Sequence, residues 1–390
     1  MQVTLKTFNV GVGDCITLLL EHNDKKMHVM VDCGNFTSEV NDYVENEFQS
    51  HIDYLIVTHI DNDHINGLIE MLSSKPNLII NHILYNCYQR TSDDLQTWDD
   101  NMVANVKRVY GYLPVVVDML EGKIDAKASK TLADLILENE NWKKAWHREY
   151  ITVDTPTIDL ENDMGCFIFL SPTQKALNDL DKEYRLLFWK TLYKSKTLDY
   201  DKEETIYEDL MRVMEQEDYE VPNEVSVSSK VLDENALKSY ADEELKDLSP
   251  ANEASIAFIW EHDGHRILFM GDANPQQIAE KLRDVYKDQY KPILFDAIKV
   301  SHHGSAHSTS KELMSVADSE HYFITGGANA RPSYQALARI IMAPLCGISH
   351  REIIYNREND VLKAFDNQES LKTKYHYTIV GDANEYEVSY

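Results

Sequence analysis

Side-chain types that bind metals are concentrated in the stretch VTHIDNDHING, residues 57–67. The preceding run, residues 52–57, is short, β-branched and almost continuously apolar, which is typical of a strand buried on both faces. Two imidazoles and two carboxylates at the end of such a strand would lose hydration at a high cost unless a positive charge lay among them. A divalent metal would supply that charge. The simpler interpretation of the same stretch is an acidic loop exposed to water. The four residues concerned are His59, Asp61, Asp63 and His64.

Composition and charge restrict the kind of protein and its partners. The 390 residues are 43% hydrophobic, which is enough for one large domain or two ordinary ones. No apolar run approaches the length of a membrane helix, and the first residues, MQVTLKTFNV, lack the pattern of a signal peptide. We therefore expect a cytoplasmic protein with no membrane partner. The formal net charge of −28 repels duplex nucleic acid, so any contact with nucleic acid would be local or metal-assisted.

The first third of the chain is predicted to be rich in strands. The sequence HNDKK is predicted to be a hairpin turn, and a helix is predicted to begin after Gly67. Three strands are predicted ahead of the strand at 52–57, at residues 3–8, 16–20 and 28–31.

Two long segments, about 88–150 and 175–248, are predicted to be helical insertions. Their charged and apolar residues recur at helical spacing, and glycines are few. The sequence GCFIFLSPT, residues 165–173, predicts a strand between them. Because the second insertion is acidic, we expect it to cover the site or to dock a protein partner. Deleting it would then alter substrate range or assembly more than metal binding.

Ligand-type side chains follow predicted strands again in the second half of the chain. The sequence EASIAFIWEHDGHRILFMGDAN predicts two strands, at 255–260 and 266–270, and Asp272 follows the second. The next apolar run, AIKV, ends on SHHGSAHS, which places His302 and His303 after another strand. The tail YHYTIVGDANEYEVSY predicts a hairpin whose turn contains a second GDAN, and we interpret that copy as outside the site.

Strands separated by helices, with ligand-type side chains at the strand ends, describe a layered α/β protein whose site lies along one sheet edge. HxDxDH at 59–64 with Gly67, GD at 271–272 and HHGS at 302–305 resemble the metallo-β-lactamase superfamily. Within it they resemble the hydrolase domain of ComEC-type competence proteins and its soluble relatives. The sequences NVGVGDC, VDCGN and NEAS support this resemblance, which covers roughly residues 1–85 and 250–345.

The resemblance implies a fold, a reaction and a set of site residues. The fold is a single αββα sandwich over residues 1–390 with the helical insertions inside it, and the reaction is hydrolysis by a metal-activated hydroxide. Catalytic roles fall to Asp63 and to His302, which would hold the leaving group or the substrate's oxyanion, and His303 is preferred over His302 as a ligand. The implied metal ligands are His59, Asp61, Asp63, His64, Asp272 and His303.

The expected cofactor is one or two Zn²⁺ ions. Asp61 stands where the wider superfamily commonly has histidine, which makes the donor set richer in oxygen and lets Mn²⁺ compete with Zn²⁺. The strand at 165–173 contains no histidine to complete the first metal site.

Three classes of function fit these observations. Cleavage of phosphodiester bonds in nucleic acid or a nucleotide-like substrate is favoured, because the relatives that the motifs resemble are nuclease-like. A small-molecule esterase or lactonase suits the acidic surface better. The third class is a metal-stabilised subunit of a larger assembly. Metal analysis followed by incubation with bis-p-nitrophenyl phosphate, single-stranded DNA and lactones would separate them.

Overall fold

The computed structural model describes residues 1–86, 131–181, 232–243, 249–287, 292–327, 331–381 and 385–389. Its strands are β1 (Gln2–Thr7), β2 (Cys15–His22), β3 (Lys25–Cys33), β4 (His51–Val57), β5 (Ile79–Tyr85), β6 (Ile158–Asp159), β7 (Cys166–Ser171), β8 (Ala257–His262), β9 (His265–Phe269), β10 (Ile293–Phe295), β11 (Ala297–Lys299), β12 (Ala317–Ser319), β13 (His321–Ile324), β14 (Arg351–Tyr355), β15 (Tyr377–Gly381) and β16 (Glu385–Ser389).

The α-helices lie between these strands. Two short 3-10 helices, Glu161–Asp163 and Ser301–Gly304, accompany them, and residues 174–181 are also helical. The α-helices are α1 (Ser38–Asn46), α2 (Asn62–Ser74), α3 (Leu132–Glu138), α4 (Glu140–Ala145), α5 (Glu234–Asp242), α6 (Pro250–Glu253), α7 (Pro275–Val285), α8 (Lys311–Val316), α9 (Tyr334–Met342), α10 (Asp360–Asp366) and α11 (Glu369–Tyr375).

Two large mixed sheets form the framework. The first has six strands in the order β16-β1-β2-β3-β4-β5, and the second has eight in the order β15-β14-β13-β11-β9-β8-β7-β6. In the first sheet β3, β4 and β5 are parallel, and in the second β9, β11, β13, β14 and β15 are parallel. Strands β10 and β12 form a separate parallel pair.

Apolar side chains divide into three buried clusters that define four layers. One cluster joins the facing sides of the two sheets, for example Leu18 with Phe258. A second lies between the first sheet and α1 to α4, and a third lies between the second sheet and α5 and α7 to α10. Strand β4 belongs to two of them, because Tyr54 and Ile56 face the other sheet while Leu55 and Val57 face the helices. The α/β class and the αββα arrangement predicted from the sequence are therefore confirmed.

Helix α2 begins earlier than the sequence predicted. It starts at Asn62, so Asp63 and His64 lie in its first turn, and Gly67 is inside the helix. A side chain at Gly67 would meet the backbone of Asn35 at 2.6 Å and the carbonyl of Cys33 at 2.7 Å. This glycine is needed for close packing of the helix on the chain after β3, which is why it does not mark the start of the helix.

The predicted C-terminal hairpin is wrong. Strand β15 pairs with β14 in the second sheet, whereas β16 pairs with β1 in the first. The predicted hairpin turn is therefore a link between the two sheets. Residues 382–384, which include all of the second GDAN except Gly381, lie outside the described residues. Local strand pattern does not reveal which distant strand a segment will pair with, and here both partners are far away in the sequence.

Most of the two predicted insertions also lies outside the described residues. Their described parts are helical where assigned: α3 and α4 pack on the first sheet, and α5 packs on the second. No helix in the described ranges combines the length and the apolar run that a bilayer crossing requires.

Candidate metal centre

The side chains of the candidate site follow strands of both sheets. His59 follows β4 of the first sheet, while Asp272 follows β9 and His302 and His303 follow β11 of the second. His64 lies in the first turn of α2, one short connection after β4. Because β9 and β11 are parallel neighbours, their carboxyl ends meet at one edge of the second sheet.

His59, His64 and Asp272 form the first group of possible metal ligands. All three are buried, and one ligand atom from each lies within 4.8 Å of the others. Nε2 of His59 lies 3.8 Å from Oδ2 of Asp272, and Nε2 of His64 lies 3.5 Å from Oδ1 of Asp272. Oδ2 of Asp61 lies 3.5 Å from Nε2 of His59. The two oxygens of Asp272 thus face different histidines, as expected of a carboxylate shared by two metal positions.

Asp63, His64 and His303 form the second group, so His64 belongs to both. Nε2 of His303 lies 3.2 Å from Oδ2 of Asp63, and Nε2 of His64 lies 3.9 Å from Oδ1 of Asp63. The side chain of Asp63 is 30% exposed, whereas those of His64 and His303 are buried. The site is therefore open to solvent on the side of Asp63.

His302 reaches a different part of the site from its neighbour His303. Its Nε2 lies 3.4 Å from Oδ2 of Asp272, and its Nδ1 lies 3.3 Å from Nδ2 of Asn252 and from Oγ of Ser308. Both histidines have φ near +50°, a left-handed conformation that is unfavourable for residues other than glycine. That conformation lets two consecutive side chains contact Asp272 and Asp63 separately.

A buried hydrogen-bond network fixes the orientation of His64 and His59. Oδ2 of Asp32 lies 2.8 Å from Nδ1 of His64 and accepts from the hydroxyl of Thr58 at 2.6 Å. The backbone N–H of Thr58 donates to Oδ1 of Asp32 at 2.8 Å. The Thr58 and Ser255 hydroxyls lie 3.0 and 3.4 Å from Nδ1 of His59. With Nδ1 engaged in this way, Nε2 of each ring is the atom that faces the site.

A buried ion pair lies behind His303. Asp14 and Lys299 are both almost fully buried and contact each other directly. Oδ1 of Asp14 lies 3.2 Å from Nδ1 of His303 and accepts from the hydroxyl of Thr325, while the carbonyl of Thr325 lies 2.8 Å from the same Nδ1. Asp14 is held close to the site because its N–H donates to the carbonyl of Asp63.

Electrostatics favour charged forms throughout the group. Burial and the adjacent His64 oppose protonation of His59, but Asp61 and Asp272 outweigh them and raise the pKa of His59. Burial also opposes protonation of His303, but the carboxylates of Asp14 and Asp63 raise its pKa to about 9. The pKa of Asp272 is held well below its usual value because the surrounding histidines outweigh its burial. Without a metal, the raised pKa values of His59 and His303 favour protons that balance these carboxylates.

The donor set fits divalent metals. Nε2 of His59, Nε2 of His64 and Oδ1 of Asp272 are buried and make no hydrogen bond in the structure. Such atoms are costly to leave unpaired, and all three belong to the first group of possible ligands. Nitrogen and carboxylate donors together suit Zn²⁺, and the excess of oxygen suits Mn²⁺ as well. Asp61 and Asp63 would add oxygen donors from the open side.

Comparison with known families addresses the first part of this site. Residues 10–125 match the model described as Metallo-beta-lactamase superfamily. The match includes His59, Asp61, Asp63 and His64 but ends before Asp272 and the two consecutive histidines. No curated protein matches the chain. The closeness to ComEC-type proteins that the motifs suggested therefore stays a prediction.

Three solved structures resemble the chain at low identity. The metallo-beta-lactamase fold protein YhfI from Bacillus subtilis is 8% identical with a TM-score of 0.37, and each chain is covered completely. Zn(2+)-bound PqqB from Methylobacterium extorquens is 9% identical with a TM-score of 0.38, again over both complete chains. A mutant of the CmlA beta-hydroxylase is 9% identical with a TM-score of 0.40 and is covered over 54% of its length.

The structure brings all of the sequence-predicted site residues to one place, although their roles as ligands stay predictions. Sequence reasoning missed the buried pair Asp14 and Lys299 and the hydroxyl of Thr58. Lys299 did carry a signal, because a lysine inside the apolar run AIKV must be paired when that strand is buried. Asp14 lies in NVGVGDC, which supported the resemblance to the superfamily but did not indicate an ion pair.

Proposed function

We propose that the protein is a metal-dependent hydrolase that cleaves phosphodiester bonds, with Zn²⁺ as the expected metal and Mn²⁺ as the alternative. The observation that carries the proposal is the set of buried, unbonded atoms on His59, His64 and Asp272, because converging nitrogen and carboxylate donors without hydrogen-bond partners suit a divalent cation. The protein would act in the cytoplasm, on nucleic acid or a nucleotide-like phosphodiester. The acidic predicted insertions remain candidates for docking a protein partner.

Bound divalent metals would lower the pKa of a shared water and polarise a phosphoryl oxygen of the substrate. The chain's own residues supply the geometry around them. Asp32 and Thr58 hold the ring of His64, and Thr325 and Asp14 hold the ring of His303. His302 is 12% exposed, lies beside Asp272 and could hydrogen-bond the leaving oxygen.

A small-molecule esterase or lactonase is the second candidate. The formal net charge of −28 favours it, because a strongly acidic protein attracts polyanions poorly at long range. Substrates therefore have to be compared on the same preparation. The panel contains bis-p-nitrophenyl phosphate, single-stranded DNA and a set of lactones.

The decisive experiment replaces Asp63 and His64 together by alanine. We expect bound metal and phosphodiester turnover to be lost while circular dichroism stays unchanged, because the core strands do not depend on these side chains. The matched control replaces His321 and Glu352, another histidine–acid pair, whose Nε2 and Oε2 atoms are 3.7 Å apart on β13 and β14 and which belongs to no group of possible metal ligands in the described residues. Metal and turnover should survive in the control. Turnover that persists in the first double variant would refute the assignment of the site.

A further inference from the structure

Two arginines, Arg331 and Arg357, lie beside the candidate metal centre. Neither Arg331 nor Arg357 contacts a carboxylate anywhere in the described part of the chain, and both are partly buried. Arg266, Arg283 and Arg351 each contact a carboxylate at 2.7 Å or less, whereas the guanidinium of Arg339 donates to backbone carbonyls, among them those of Ala306 and Thr309. Two partly buried arginines that lie close together without a carboxylate contact among the described residues form a suitable place for an anion from outside.

The backbone of Arg331 is fixed against the loop that carries His303. The N–H of Ser333 donates to the carbonyl of Gly304 at 2.9 Å, and a side chain at Gly304 would meet Cβ of Pro332 at 2.6 Å. The amide of Asn359 donates to the carbonyl of Arg331. Arg331 therefore keeps its place at this edge of the site.

Gly327 connects the two arginines to His303. A side chain on Gly327 would lie 3.0 Å from Cβ of Arg331 and 3.1 Å from Cβ of His303, so little space separates these elements. Nη1 of Arg357 donates to the carbonyl of Gly327. The N–H of Gly327 donates to the carbonyl of Val12 at 2.7 Å. Both arginines thus adjoin Gly327, which packs against the loop that carries His303.

We infer that Arg331 and Arg357 form a subsite for a second phosphate of the substrate, next to the phosphodiester that is cleaved. This inference rests on the proposed function and narrows it to phosphodiesters that carry another phosphate nearby, such as short oligonucleotides or phosphorylated dinucleotides. Guanidinium groups match phosphate oxygens in geometry and stay charged at all physiological pH values. The two positive charges also offset locally the repulsion that the acidic surface exerts on a polyanion.

Dinucleotide substrates test the subsite directly. Thymidylyl-thymidine with and without a 5′ phosphate share the same scissile bond, so the ratio of their kcat/KM values measures recognition of the second phosphate. We expect the native protein to prefer the phosphorylated form by a factor of about 10 or more. R331A should reduce that preference to about 1, with little change for the unphosphorylated form, and R331K should recover part of it. R357A should reduce the preference as well.

A binding measurement keeps this inference separate from the proposed function. Titration of metal-loaded protein with thymidine 3′,5′-bisphosphate should give a Kd that R331A raises about tenfold or more, whether or not any substrate is cleaved. If no phosphodiester is hydrolysed but this change in Kd is found, the proposed reaction fails and the phosphate subsite stands.

The control is R283A, which removes an arginine that contacts Glu312 on the surface. It should change neither Kd nor substrate preference. The subsite is refuted if R331A and R357A bind the bisphosphate as the native protein does, or if R283A weakens binding equally. Bound metal and thermal unfolding of each variant are measured first, and if R331A is misfolded the same comparison is made with R331K against R283K.

Discussion

Replacing Lys299 by methionine should destabilise the protein strongly through an effect on Asp14. Lys299 and Asp14 are a direct ion pair, with side chains 2% and 1% exposed. Burial opposes charge on Asp14, but Lys299 and His303 outweigh it and hold the pKa of Asp14 far below its usual value. Burial likewise opposes charge on Lys299, whose pKa is nevertheless raised by Asp14 and Asp272. Both groups are therefore charged at neutral pH, and methionine would leave a buried carboxylate without its cation.

The expected loss follows from the burial of the pair. Breaking a buried ion pair by removing one partner costs about 3–5 kcal/mol, because the remaining charge is neither hydrated nor paired. A 390-residue chain has an unfolding entropy of about 0.8 kcal/mol/K near its midpoint. The loss therefore corresponds to a fall in Tm of about 4–6 °C. The stabilisation by Asp14 is present above its usual pKa and is lost only as pH falls through the lowered one, so the effect should persist across neutral pH.

Thermal and urea unfolding of metal-free protein would measure the effect without a contribution from bound metal. D14N should lower the free energy of unfolding by a similar amount. The double variant K299M/D14N should be much closer in stability to the native protein than the sum of the two single losses predicts. The control is K26M, which breaks an exposed pair with Glu21 at 2.6 Å and should cost about 1 kcal/mol or less. Additive losses in the double variant, or equal losses in K299M and K26M, would show that the buried pair does not act as described.

Three further predictions concern the candidate site. D272A should lower turnover by a factor of about 10² or more and release metal, whereas D382A should change neither turnover nor bound metal. Mass spectrometry of bound metal and activity assays on the same preparations would test this. Equal losses in the two variants would place Asp382 in the site. Because the pKa values of His59, His64 and His303 are raised, metal binding near pH 7 should release about two to three protons and tighten as pH rises. Calorimetry in buffers with different ionisation enthalpies would count these protons, and a count near zero would contradict the raised values. In metal-free protein the stabilisation by protonated His303 should be complete below its ordinary pKa and lost as pH rises through about 9.

The sequence predicted most of the fold where hydrophobic pattern and turn chemistry agree. The turn HNDKK is formed by Asn23 and Asp24 with positive φ, and the turn after β8 uses Asp263 and Gly264 in the same way. The failures have a common cause. The place of Gly67 inside α2 reflects its close contacts with the chain after β3, and the separation of β15 from β16 depends on pairing with β14 and β1. These contacts are distant in sequence, so local pattern could not reveal them.

The sequence predicted which residues belong to the candidate site, because these residues follow strands. It predicted less well which of these residues contact one another. Side-chain type and spacing singled out His59, Asp63, His64 and the two consecutive histidines, because imidazole and carboxylate groups at strand ends are rarely structural in such numbers. The assignment of His303 to the Asp63 side and of His302 to the Asp272 side needed the left-handed backbone at both residues, which no sequence pattern specifies.

The same backbone gives a reason for the succession of two histidines and a glycine. The chain turns sharply through His302 and His303, and Gly304, with φ +79, continues that turn at no steric cost. Spacing alone therefore identifies the pair, while the division of roles between its members is set by the backbone that the fold imposes.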